Sequence, residues 1–352
     1  MGEQIAPSPQ KGGKGKGARK KGPNRRKSAD AATGGASRES NAKADPEFPK
    51  ENRFGDTSNR GGWLGKTAYA ALDLGTNNCR LLIARAANDG FTVVDAFSRV
   101  VRLGEGLNST GKMSEAAMDR AIEALSVCAD KLKRRNVVLA RSVATEACRQ
   151  ALNGVEFIER VKRETGIVLD VISPKEEARL AVMGCHALLE EGEGPAMIFD
   201  IGGGSTELVL VSTDGATPEI LDWASVPWGV VSLTESEARR GDDEHPLQET
   251  YAAMRAKVRE SFAEFASRLP VGQGDHRLMG TSGTVTTLAS VYLNLPSYDR
   301  RQIDGLHLPT SAMREISQTL AARPPKGRAE FPTIGQERAD LVVAGCAILE
   351  TI

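Results

Sequence analysis

Ala68-Tyr69-Ala70-Ala71-Leu72-Asp73-Leu74-Gly75-Thr76-Asn77-Asn78 carries an apolar run into an aspartate and then into a turn of glycine, hydroxyl and amide residues. About 125 residues later the pattern returns as Ala196-Met197-Ile198-Phe199-Asp200-Ile201-Gly202-Gly203-Gly204-Ser205-Thr206-Glu207. A second apolar strand follows each turn, over Arg80–Arg85 and Leu208–Val211. Glycines without side chains let successive backbone N–H groups converge on an anion, and the hydroxyls add donors. Gly75, Thr76 and Asn77 in one turn, and Gly202, Gly203, Gly204 and Ser205 in the other, therefore read as phosphate-binding. An aspartate at the strand end supplies negative charge for a divalent cation beside that anion. It can equally cap its own turn, so Asp73 and Asp200 carry both readings. Two such hairpins imply two similar halves facing one phosphate-binding cleft.

Outward from the hairpins, strands and helices alternate. Thr92–Val101 reads as a third strand, and Asn88-Asp89-Gly90 as the turn before it. Apolar residues at Ala117, Met118, Ala121, Leu125, Cys128 and Leu132 predict an amphipathic helix over Ser114–Lys133. Asn136–Ala144 reads as a buried strand, Gly154–Thr165 as a helix, and Lys175–Leu189 as a helix opened by Pro174. In the second half, helical patterns cover Leu247–Leu269, Val285–Tyr292, Thr310–Ala322 and Gln336–Leu349. The order predicts an α/β chain of two lobes, 63–182 and 183–352, behind a basic segment over 1–62.

That basic segment hides behind a formal net charge of zero. Residues 1–60 hold 14 lysines and arginines against 7 acids, so the rest of the chain is net acidic. With glycines interleaved and no periodic apolar face, this stretch cannot bury enough surface to fold alone and is expected to be a disordered tail. It reads either as a solvated attractor or as a binder of polyanions such as RNA or polyphosphate. It lacks the apolar core of a secretory signal, and no stretch of the chain approaches the length of a membrane span. The five cysteines form no CxxC pair and read as small buried hydrophobes of a reducing compartment, which predicts a cytoplasmic protein. Four scattered histidines offer no zinc spacing. Gly61-Gly62-Trp63-Leu64-Gly65-Lys66-Thr67 ends like a Walker loop, but Arg60 stands where its first glycine is required.

Five motifs together resemble the exopolyphosphatase and guanosine pentaphosphate phosphohydrolase family, within the larger fold group of actin and the sugar kinases. They are Ala71–Asn77, Val143-Ala144-Thr145-Glu146-Ala147-Cys148-Arg149, Ile172–Arg179, Phe199–Glu207 and Met279-Gly280-Thr281-Ser282-Gly283-Thr284. The resemblance covers roughly residues 66–352. It implies a two-lobed, actin-like (ribonuclease H-like) duplicated fold with a cleft between the lobes. Residues 1–62 have no counterpart in the family, and its members normally continue beyond the position of Ile352 into a final helix.

The resemblance also implies roles. Glu177 matches the family's general base, a carboxylate that orients and deprotonates water; by itself, a Glu-Glu pair in a first helical turn only complements the helix dipole. Glu207 matches a second acid with a catalytic or metal-holding role, whereas a strand position suits an ordinary ion pair as well. Arg149 suits a bidentate phosphate contact or a structural salt bridge. Gly280, Ser282 and Gly283 open a helix after a strand, an anion-friendly arrangement. The expected function is a Mg²⁺-dependent hydrolase that releases terminal phosphate from inorganic polyphosphate or guanosine pentaphosphate, with a homodimer as its expected assembly. A small-molecule kinase of the same fold and a non-catalytic polyphosphate or alarmone sensor are the competing readings.

Overall fold

A computed structural model describes residues 52–53, 67–88, 90–189, 192, 194–214, 218–238, 247–270 and 277–352. The expected disordered tail, apart from 52–53, and the turn residue Asp89 lie outside the described residues.

Strand β1 (Ala68–Leu74) turns through Gly75-Thr76-Asn77 into the antiparallel β2 (Asn78–Ala87), and β2 pairs with β3 (Gly90–Val100). The Gly75 N–H donates to Asn78 O at 2.9 Å and closes the first hairpin. Helix α1 (Glu115–Arg134) then carries the chain back to β4 (Val137–Ala144), which lies parallel to β1. A parallel neighbour requires such a crossover. Ser114 caps α1, its Oγ accepting from the Ala117 N–H at 3.2 Å. The first sheet runs β4-β1-β2-β3, with the two-residue strands Asn52–Arg53 and Asp170–Val171 both on β4.

After β4 come the short helix α2 (Glu146–Gln150), α3 (Gly154–Thr165) and α4 (Pro174–Cys185). The second sheet then repeats the first: β5 (Ala196–Ile201), β6 (Thr206–Ser212) and β7 (Glu219–Val226) form the meander. Helices α5 (Val230–Ala238) and α6 (Leu247–Arg268) precede β8 (Arg277–Thr281), which pairs parallel to β5. The order β8-β5-β6-β7 matches β4-β1-β2-β3 strand for strand. Helices α7 (Ser282–Tyr292), α8 (Thr310–Ala321) and α9 (Val342–Thr351) complete the described chain.

Each sheet has its own core. Leu72, Leu74, Leu81 and Ile83 pack under α1 and α3 with Leu125, Leu132, Phe157 and Val161. On the second sheet Phe199, Ile201 and Leu208 meet Val258, Leu288, Cys346 and Ile348 from α6, α7 and α9. Burying each such large side chain contributes about 1.5–3 kcal/mol. The opposite face of the second sheet is covered by α4, whose Ala178 and Val182 pack on Ala196, Ile198, Val209 and Val211. Helix α4 therefore belongs with the second sheet. The apolar stripe of α4 faces β5 and β6.

Other expectations shift as well. The helix expected over Gln336–Leu349 is broken into Gly335–Arg338 and α9 by a tight turn in which the Leu341 N–H donates to Arg338 O. Val138 and Leu139 of the expected buried strand are 46% and 45% exposed, at an irregularity in the ladder with β1, which pairs Ala68 with Val137 and Tyr69 with Leu139 and skips Val138. The cysteines are free, and all but Cys185 are buried; Cys79 and Cys128 lie 3.9 Å apart, sulfur to sulfur. Among the described residues no helix is long and apolar enough to cross a membrane.

Candidate active site between two glycine loops

The repeated sheets bring the two glycine turns face to face. A methyl group added at Gly203 would lie 2.9 Å from Thr76 Cβ and 3.0 Å from the Asn77 nitrogen. One at Gly204 would lie 2.7 Å from Thr76 Oγ1 and 2.9 Å from Glu146 Cγ. Only glycine allows this approach. The Val230 and Val231 amides support the second loop by donating to Gly202 O and Gly203 O at 3.0 and 2.8 Å. Ser232 Oγ accepts from the Gly229 N–H at 2.8 Å and donates to Gly204 O at 3.0 Å. With the carbonyls held from behind, the Gly203 and Gly204 amides take no protein acceptor among the described residues, and neither do those of Thr76 and Asn77. Such convergent, unpartnered amides form an anion cradle.

A cleft of about 120 Å³ opens over this cradle. A cavity beside β8 is larger, about 590 Å³, but only the smaller space gathers both glycine loops and the two strand-end aspartates. Asp73, Gly75, Thr76, Asn77, Glu177, Asp200, Gly202, Gly203, Gly204, Ser205, Ser282 and Gly283 all line it. Ser282 reaches it through a left-handed backbone, φ 80°, at the junction of β8 and α7. Arg80, Thr145, Glu146, Thr287 and Arg338 line it too, without having been singled out from sequence. For Arg80 a signal existed, since it stands opposite Asp73 in the ladder just as Glu207 stands opposite Asp200. Arg338 gave none: it arrives from the far end of the chain, where its Nη1 donates to Thr287 Oγ1 at 3.0 Å.

Three expected residues sit elsewhere. Gly280 does not line the cleft, and an added methyl there would lie 2.6 Å from the Phe199 ring. Glu207 is 1% exposed and lies behind Ser205, accepting from Ser205 Oγ at 2.8 Å and Ser225 Oγ at 2.9 Å. Its ladder position, on the sheet face shared with Asp200 and Ser225, explains this placement. Arg149 does not line the cleft. Its Nε and Nη2 donate to Glu146 Oε2 at 3.0 and 2.6 Å, Nη1 to Ile172 O at 2.7 Å, and Nη2 also to Glu177 Oε2 at 2.8 Å.

The acids share a crowded, poorly solvated space. Burial pushes Glu177 up to about 7; Arg149 opposes the shift, and Asp200 and Asp73 add to it. Glu207 is pushed up to about 8, by burial first and then by Glu177 and Asp200, against its two serine hydrogen bonds. Burial also raises Asp73 and Asp200, and Arg80 partly offsets both. Among the described residues no three acidic, histidine or cysteine side chains converge as a ready-made metal cage. Magnesium does not need one, because it keeps several waters and uses one or two carboxylates together with phosphate oxygens. Asp73 and Asp200 fit that donor set, and a cation between them would relieve the cost of their burial. The buried Asn77 Oδ1 has no partner among the described residues and offers a further acceptor at the cleft wall.

Residues 82–352 match the Ppx/GppA phosphatase family. Exopolyphosphatase 2 of Mycobacterium tuberculosis is 32% identical over 298 residues, which cover 82% of this chain and 91% of that protein. A solved exopolyphosphatase-like protein, 29% identical, superposes with a TM-score of 0.73 over 81% of this chain and 88% of its own. The Ppx/GppA family member of Aquifex aeolicus, also 29% identical, gives 0.65 over 81% and 89%. The two-lobed, actin-like α/β fold and the paired glycine loops thus have one source: the chain belongs to the Ppx/GppA phosphatase family, whose members are phosphate-releasing hydrolases.

Proposed function

We propose that the cleft seats the end of an inorganic polyphosphate chain and hydrolyses its terminal phosphoanhydride, with Glu177 as general base. The observation that carries this reading is the placement of Glu177. One of its carboxylate oxygens is held by Arg149, and the side chain lines a cleft whose floor is two loops of unpartnered amides. Polyphosphate is favoured over guanosine pentaphosphate because the curated relative and a solved neighbour are named for exopolyphosphatase activity.

The amides of Thr76, Asn77, Gly203 and Gly204 hold the terminal phosphoryl oxygens, with Ser282 and Gly283 across the cleft. Glu177 accepts a proton from water as the water oxygen bonds to phosphorus. The bridging P–O bond breaks, and its electron pair leaves with the shortened chain. General-base assistance of this kind contributes ~10²–10⁴ in rate. Asp73 and Asp200 would hold Mg²⁺, which when bound neutralises charge on the phosphate oxygens. Glu207, through Ser205, braces the second glycine loop from behind. Free, mostly buried thiols suit a cytoplasmic setting.

The test is phosphate release from long-chain polyphosphate and from guanosine pentaphosphate, each with Mg²⁺, for wild type beside Glu177→Gln. Release from polyphosphate that the substitution abolishes is expected. Release from guanosine pentaphosphate alone would move the substrate to the nucleotide. Tight binding with no release from either would replace the enzyme with a sensor.

A further inference from the structure

We infer that Arg149, anchored by Glu146, is a positioning residue that orients Glu177 and ties the base to closure of the two lobes. The inference rests on the hydrolase reading above and assigns Arg149 to the base rather than to the substrate.

The guanidinium lies between two carboxylates and is 15% exposed, with Glu146 at 13% and Glu177 at 21%. Its Nε and both terminal nitrogens already donate to protein acceptors. A phosphate could recruit it only by displacing charge-assisted bonds of 2.6–3.0 Å from a half-desolvated site. Glu146 is itself fixed: Gln150 Nε2 donates to its second oxygen at 2.5 Å, and its Cγ packs where Gly204 lacks a side chain. The planar guanidinium, held at both ends, is therefore a rigid arm.

What the arm reaches matters more. Glu146 and Arg149 stand on α2, which follows β4 of the first sheet, whereas Glu177 stands on α4, packed on the second sheet. The Arg149–Glu177 bond thus bridges the halves and needs the separation seen here. It fixes Glu177 Oε2 and leaves Oε1 as the oxygen available to a water in the cleft. Asp73, Asp200 and Glu207 act on Glu177 as like charges and Glu146, Arg80 and Arg338 line the same cleft, but Arg149 is the cation that bonds Glu177 directly and opposes that repulsion. A glutamate with three rotatable bonds and no such anchor would swing away from them. Misplacing a reacting group by about 1 Å can cost ~10²-fold in rate.

The experiment measures steady-state phosphate release from polyphosphate with saturating Mg²⁺ for the full chain and for Glu146→Gln, Arg149→Lys and Arg149→Met. Expected are a kcat loss of ~10-fold or more in Glu146→Gln and up to ~10²-fold in Arg149→Met, with KM nearly unchanged in both. Lysine keeps the charge and can reach one carboxylate, so Arg149→Lys should recover part of that loss. A merely structural role would lower the folded fraction and Tm without this split, and lysine would not restore turnover per folded molecule. Should Arg149→Met fail to fold, the other two variants decide. A large rise in KM at normal kcat in the Arg149 variants would make Arg149 a phosphate ligand and overturn the proposal. So would Glu146→Gln with wild-type kcat. If the wild type itself releases no phosphate, the hydrolase reading fails and takes this inference with it; an active wild type with unaffected variants defeats the inference alone.

Discussion

At the residue scale, Glu177 concentrates the chemistry. A base works only as a carboxylate, and burial beside two aspartates has raised this one from the ordinary range to about 7. With Glu177 as the proposed base, activity should fall as pH drops through about 7 and be full well above it. A pH–rate profile of kcat/KM should show that acid limb. Glu177→Gln should cut kcat at least ~10²-fold, leave KM nearly unchanged and abolish the limb. A variant that turned over near the wild-type rate would remove Glu177 from the mechanism. Glu207 is a different acid. Raised to about 8 and hydrogen-bonded by two serines, it does not line the cleft.

At the element scale, the glycine loops and α4 set what can be changed. Gly204 has no room for a methyl group against Thr76 and Glu146. Gly204→Ala should push the halves apart at the cradle, costing about 1–3 kcal/mol in stability and suppressing phosphate release; thermal melts and release assays read the two effects separately. Gly184 offers the contrast. It lies exposed near the end of α4, with nothing within 4 Å of an added Cβ. Gly184→Ala should stabilise the protein by about 0.5–1 kcal/mol, measured by denaturant unfolding; destabilisation would mean that α4 is less regular there than described. The start of α4 is set locally, by Pro174 in the first turn and Ser173 Oγ accepting from the Glu176 N–H at 3.2 Å, and that start delivers Glu177 to the cleft.

At the scale of the whole molecule, function depends on two halves meeting. Asp73 comes from one sheet and Asp200 from the other. Asp73→Asn and Asp200→Asn should each raise the Mg²⁺ concentration for half-maximal activity by ~10-fold or more, read in a Mg²⁺ titration of phosphate release. An unchanged titration would return both aspartates to the role of turn caps. The basic segment over 1–62 makes a separate prediction, because lysines and arginines on a polyanion release counterions. Removing it should weaken binding of long-chain polyphosphate at low salt, with the difference vanishing at high salt.

Much of this was legible in the sequence because it is local. A strand that ends in aspartate before a glycine turn specifies its own hairpin, and the repeat of that pattern specified two similar sheets. A serine before a periodic apolar run marked the start of α1. The glycine loops were legible for the same reason, whereas Glu177 was singled out only through the family resemblance. Tertiary structure alone decided how distant groups pair. It placed α4 on the second sheet, left Gly280 against the Phe199 ring and out of the cleft, set Glu207 behind Ser205 and engaged Arg149 with Glu177. It also brought Thr287 and Arg338 to the site. Chain pattern fixes which face a side chain takes along its own element, whereas the partner across a cleft depends on how separate elements dock, and no local periodicity encodes that.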